Sequence, residues 1–168
     1  SPAFAQASGP ALVGGPVAAK CTALTPIGGT ISLAELAKSD GTVDKTLAGA
    51  PTGLSREFTV RCNGANPNLS VEARTLVNEA AADSPNGYTN KVDYTAKLAA
   101  KGAKGQTTAI ADLSSNGGAT TGRIGDRLAA EANNVTLTIA DAMTSNSTAI
   151  LEAGTYAGSV DIVISPAA

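Results

Sequence analysis

The chain of 168 residues has no histidine and no tryptophan, and it has only two cysteines. Without imidazole, the commonest general base and metal ligand is missing, which removes Ser-His-Asp and Cys-His catalysis and most zinc arrangements together. Aromatic residues make up 3% and charged residues 15% of the sequence. So few aromatics argue against sugar stacking. A formal net charge of −2, with no basic block and no interleaved aromatics, argues against nucleic-acid binding. No apolar run approaches the length of a membrane span, so none is expected.

Motifs for chemistry are also lacking. No stretch fits the calcium-loop pattern, and "SSNGGATTG" lacks the Gly-Lys-Ser/Thr ending of a phosphate loop, so it reads as a mobile surface loop. The acidic residues stand singly, among them Asp40, Asp44, Asp83, Asp112, Asp126 and Asp161, and most are expected at turns or on outward strand faces. No catalytic residue, metal ligand or cofactor is expected, and the chain reads as a non-enzyme. Three Asn-x-Ser/Thr triplets, at Asn68, Asn134 and Asn146, are of a kind frequent by chance in Asn- and Thr-rich sequences. Lys97, Lys101 and Lys104 read as a solvated hairpin.

What is present is small and polar. The apolar share of 43% is ordinary, but Ala and Gly supply much of it. A core built this way is thin in large side chains, so something besides burial is expected to help hold it. Cys21 and Cys62 both lie in strand-like stretches, "VAAKCTAL" and "FTVRCNG", without Cys-x-x-Cys spacing. A structural disulfide is the preferred reading and two buried free thiols the alternative. Such a bond places folding in an oxidising compartment. The opening "SPAFAQA" holds two small-x-small triplets, Ala3-Phe4-Ala5 and Ala5-Gln6-Ala7, like the end of a secretory signal, which favours export.

Residues 1–16 form an Ala-, Gly- and Pro-rich arm, and residues 17–168 the domain proper. Odd positions along the arm and into the domain, Ala3, Ala5, Ala7, Gly9, Ala11, Val13, Gly15 and Val17, would share one face of an extended strand, whereas Phe4 and Leu12 fall on the other. From Val17 onward, short alternating runs are separated by turn chemistry such as "PIGG", "SDGT" and "DSPNG". Strands are expected in "EFTVRCN", "NLSVEARTLVN", "KVDYTAKLAAK", "NVTLTIADAM" and the terminal "AGTYAGSVDIVISP", where Tyr156, Gly158, Val160, Ile162 and Ile164 align. Two stretches read as short helices or single turns: "SLAELAKSD", with Ser32 as cap and Glu35 three residues on, and "GDRLAAEANN". Many short strands at this spacing predict an all-β, antiparallel β-sandwich.

The arm, a cysteine just inside the domain, a second cysteine in "EFTVRCN" and the closing "GTYAGSVDIVIS" together resemble chaperone-usher pilus subunits, with the archaic group related to spore coat protein U domains as the nearest variant. The resemblance implies an immunoglobulin-like sandwich that is incomplete and is completed by a donor strand from a neighbouring subunit. It implies a homopolymer, with a periplasmic chaperone and an outer-membrane usher as partners during assembly. The product would be an extracellular fibre for adhesion or biofilm formation, exported through the periplasm. By the same resemblance, Tyr156, Val160, Ile162 and Ile164 line the acceptor groove, and Ala5, Ala7, Ala11, Val13 and Val17 face it from the donor strand. Three features depart from the family pattern: donor residues are mostly small, Pro10 and Pro16 interrupt the amide row, and the chain closes in "SPAA" without a nearby aromatic. Two other readings of the residues are a self-contained secreted sandwich binding a carbohydrate or surface polymer, and an extracellular enzyme using a carboxylate pair.

Overall fold

A computed structural model of the chain describes residues 5–82 and 84–167. Ala3 and Phe4 of the arm, and Asp83, therefore lie outside the described residues. The described chain is all-β: β1 Cys21–Ala23, β2 Ser55–Phe58, β3 Val60–Cys62, β4 Asn68–Ala73, β5 Leu76–Val77, β6 Tyr88–Thr89, β7 Lys91–Lys101, β8 Thr107–Leu113, β9 Thr120–Arg123, β10 Val135–Met143, β11 Ile150–Leu151 and β12 Val160–Ser165. One layer runs β2-β10-β7, with β5 and β8 both paired to β7, and a second runs β12-β4-β9. All these pairings are antiparallel. The two layers face each other across one core, which makes the sandwich.

Strict alternation in the sequence explains the layers. Val92, Tyr94, Ala96, Leu98 and Ala100 of β7, Val135, Leu137 and Ile139 of β10, and Leu69, Val71 and Ala73 of β4 are all buried. Each belongs to the inward phase of its strand, so the period of two places them in the core at once. Each large member contributes roughly 1.5–3 kcal/mol by leaving water, and the alanines much less. Cys21 and Cys62 are bonded to each other, directly opposite in the β1–β3 pairing with Cα atoms 4.1 Å apart.

Polar side chains complete the pairing where strands stop short. The buried Asn134 accepts from Val60 N (2.9 Å) and donates to Val60 O (2.7 Å) and Ala129 O (2.8 Å), acting as a short substitute for a strand. That burial also shields the triplet at Asn134. Asp112 of β8 is 2% exposed, accepting from Ala73 N of β4 (2.8 Å) and Thr120 Oγ1 of β9 (2.7 Å). It corrects the expectation of an acidic residue at the surface: its β8 position turns it inward, where two donors from the opposite layer satisfy the carboxylate.

Other expectations are corrected too. Neither predicted helix forms. Residues of "SLAELAKSD" run irregularly to a bridge between Ala37 and Val43, with Leu33 and Leu36 packed against the core. "GDRLAAEANN" lies along the β7–β8 hairpin, where Leu128 bridges Gly102 and Ala129 N donates to Lys101 O. Backbone partners from neighbouring segments replace the bonds within a helix, and a capping pattern over so few residues cannot compete. "SSNGGATTG" is not wholly a loop, because its Thr120 starts strand β9. The expected strand "EFTVRCN" divides at Thr59, whose carbonyl accepts from Leu24 N and Thr25 N, and "NLSVEARTLVN" divides into β4 and β5. Lys97, Lys101 and Lys104 are exposed on the β7–β8 hairpin, as expected.

Candidate functional site

The terminal strand decides where a site can be. β12 pairs β4 along its whole length, from Val160 opposite Ala73 to Ser165 opposite Asn68. Among the described residues, no strand pairs its other edge. Arg74 N donates to Ser159 O at 2.9 Å, so residue 159 aims its carbonyl at the β4 side. Amide direction alternates along a strand. Asp161, Val163 and Ser165 therefore also turn toward β4, and Val160, Ile162 and Ile164 present their N–H and C=O groups to the open edge. Their side chains are the half-buried ones that pack on the core.

Beside that edge runs a cleft of about 730 Å³. Its floor is core: Phe58, Leu76, Tyr94, Leu137 and Ile139, all buried. One wall is Gly158 to Val163; the other is the segment 27–33, with Ile27, Ile31 and Leu33 turned in. A second cleft of about 610 Å³ continues from it, sharing Thr30, Ile31, Leu33, Leu76 and Gly158, between residues 30–37 and residues 151–158. Numbers rise along one wall as they fall along the other, so the two walls run antiparallel.

Specific contacts hold the walls. Arg56 Nη2 donates to Thr30 O (3.1 Å) and Thr52 Oγ1 (2.7 Å), tying the irregular wall to β2. Tyr94 rises from the floor and its hydroxyl donates to Ser159 O at 3.2 Å, fixing the start of β12. Burial pushes the Tyr94 hydroxyl up to about 12. The Tyr156 hydroxyl donates to Glu152 O (2.8 Å), with Thr89 O (3.2 Å) as the second acceptor sharing its one proton, and burial raises its pKa as well. At Gly158 an added Cβ would stand 2.8 Å from Arg74 O and 3.0 Å from the Leu76 side chain, so this position has room for glycine only.

Of the residues read from the sequence as groove-lining, Val160 and Ile162 line the first cleft and Tyr156 the second. Tyr156 lies ahead of β12 rather than on it, because the strand begins at Val160. Ile164 packs against the core and is not among the lining residues of either cleft. The sequence reading missed the opposite wall entirely. "PIGG" reads as a turn, and Gly29 does take a left-handed φ of 96°, yet the residues around it form a side of the groove.

The arm is placed away from the body. Residues 5–20 are exposed and without strand pairing, and the first strand begins at Cys21. Leu12, Val13 and Val17 are 93%, 96% and 82% exposed, and Ala5, Ala7 and Ala11 are exposed with them. Asn63 anchors the arm's base: its amide group donates to Ala18 O (2.8 Å) and accepts from Lys20 N (2.9 Å). Among the described residues, no three His, Cys, Asp or Glu side chains come together as a metal cluster would require, and no helix is long and apolar enough to cross a membrane. Comparison of the chain with protein-family models, curated proteins and solved structures finds no match.

Proposed function

We propose that this chain is a non-enzymatic structural subunit of an extracellular pilus or fimbrial fibre, polymerising by donor-strand complementation and serving adhesion or biofilm formation. The observation that carries the reading is the open edge of β12 beside a cleft with an apolar floor, in a chain that also extends an unpaired arm with small apolar residues at every second position. An open apolar strand edge is an aggregation hazard that proteins cover. β-strand addition covers it with main-chain hydrogen bonds for strength and alternate side chains for register. Donor and acceptor surfaces differ, so the contact is head-to-tail and an open filament follows unless the rotation closes. On the same reading a periplasmic chaperone fills the groove before the neighbouring arm does, an outer-membrane usher passes the subunits out, and the immunoglobulin-like domain is complete only in the fibre.

Electron microscopy of material sheared from the source, wild type beside Val13→Asp, tests this. Uniform filaments from wild type and their loss in the variant are expected, because the aspartate would bury an unpaired charge in the groove. Filaments of undiminished number in Val13→Asp and in further charged substitutions at Ala11 and Val17 would remove the arm from the assembly. Only monodisperse wild-type particles would favour a self-contained binding module instead.

A further inference from the structure

Charge is divided along this molecule. The long strand β7 runs from Lys91, beside β5, to Lys101, beside the start of β10, and so separates two poles. At the Lys101 end lie the β7–β8 turn and the segment 125–131, joined by bonds from Ala103 N to Arg127 O and from Ala129 N to Lys101 O. The link from β3 to β4 reaches the same place, because Asn66 N donates to Asp126 O. This pole carries Lys20, Arg61, Lys101, Lys104, Arg123 and Arg127 against Glu57, Asp126 and Glu131. At the Lys91 end, Leu151 N donates to Gly41 O, Glu152 N to Thr89 O, Ala142 N to Lys45 O and Asn78 N to Asn90 O. The segments gathered there carry Glu35, Asp40, Asp44, Glu79, Asp141 and Glu152 against Lys38, Lys45 and Lys91. Basic residues outnumber acidic ones at one pole, and the reverse holds at the other.

We propose that the two poles are complementary docking faces between successive copies of this chain: the basic pole of one body seats on the acidic pole of the next, a contact separate from the groove. The inference rests on the fibre reading above for its partner and adds a second surface to it. The root of the arm stands on the basic pole, where Asn63 holds Ala18 and Lys20. The second cleft lies toward the acidic pole, between residues 30–37 and 151–158. A body whose arm enters from that side brings its basic pole against the acidic one.

The charges are available for this. Among the described residues, the ion pairs are Lys101 with Glu131 (2.8 Å) and Arg74 with Asp161 (2.6 Å) and Glu72 (3.5 Å). Lys20, Lys104, Arg123 and Arg127 at one pole are therefore exposed without an ion-pair partner, as are Glu35, Asp40, Glu79 and Asp141 at the other. Hydrogen bonds from Thr42 and Thr46 hold the Asp40 and Asp44 carboxyls below the usual carboxylate range, so both are ionised at neutral pH. Because the two faces differ, their contact repeats head to tail. A two-fold pairing of either pole with itself would set like charges together. Charges of this exposed kind speed encounter more than they strengthen the finished contact, and salt screens them.

The test follows polymer growth by light scattering after the full oxidised chain is diluted from denaturant at low salt, where the Debye length is about 30 Å at about 0.01 M. Lys104→Glu/Arg127→Glu reverses charge at the basic pole and Glu35→Lys/Glu79→Lys at the acidic one. Each pair is expected to slow the initial growth on the order of tenfold, and a chain carrying all four substitutions to recover most of the wild-type rate. That recovery excludes misfolding as the cause of slow growth. The differences should shrink toward none at about 1 M salt, where the Debye length is about 3 Å. Growth of both pairs at the wild-type rate, or a fourfold variant slower than either pair, overturns the pole contact. If Val13→Asp still abolishes polymer in that case, the donor-strand reading stands without it. If wild type forms no polymer, both fall together.

Discussion

Asp112 and Tyr94 show how single side chains hold this sandwich in register. Asp112 joins β8 to both β4 and β9. Replacing it by alanine leaves the buried Ala73 N–H without a partner, so Asp112→Ala should cost about 2–4 kcal/mol in urea unfolding. A loss below about 0.5 kcal/mol, the range of ordinary surface substitutions, would show that the clamp contributes nothing. Tyr94 links the groove floor to the start of β12. Its hydroxyl ionises near the usual 10 in the unfolded chain and at about 12 in the fold, because burial disfavours the phenolate. The stability this confers is whole below pH 10 and is lost as the pH rises from 10 to 12, since only the unfolded state then gives up the proton. Melting temperatures over that range should fall in wild type and fall less steeply in Tyr94→Phe, with lysine titration common to both. Parallel curves would mean that the hydroxyl does not carry the effect.

On the donor-strand reading, β12 is the element on which function turns, with separate duties for its two faces and two edges. Its outward Asp161 pairs with Arg74 (2.6 Å), an exposed contact of little energetic weight. Its inward Ile162 lines the groove. On the donor-strand reading, Ile162→Asp should abolish assembly, and a filament count equal to wild type would show that the groove is not the acceptor. Gly158, just ahead of the strand, has backbone oxygens pressed against it. Gly158→Ala should therefore destabilise by about 1–3 kcal/mol through forced displacement of β12 from Arg74 and Thr75. The long strands were legible because burial follows a period of two in β4, β7 and β10. The two helices read at 32–40 and 125–134 were not, since short capping and apolar patterns there serve irregular segments that bond to neighbours. The wall at residues 27–33 carried no periodic signal at all, being held by Arg56 from a distant strand.

At the scale of the whole molecule, an alanine-rich core is braced by one covalent link. The Cys21–Cys62 bond spans a separation of 41 residues. Closing a loop of this size is worth roughly 4 kcal/mol in the chain-entropy model. Cys21→Ser/Cys62→Ser should lose about that much in denaturant unfolding, and an unchanged midpoint would mean that burial alone suffices. The bond also fastens β1, and through it the root of the arm, to β3. What the sequence by itself determined was the all-β class, the inward rows of the long strands, the paired cysteines and the alternating arm, because each is a local pattern read directly from side-chain spacing. Only the tertiary structure decided which strand edge stays open, that Ile27 to Leu33 forms the second wall, that Asp112 turns inward, and that Tyr156 stands outside β12. Those depend on contacts between segments far apart in the chain, and no local period encodes them.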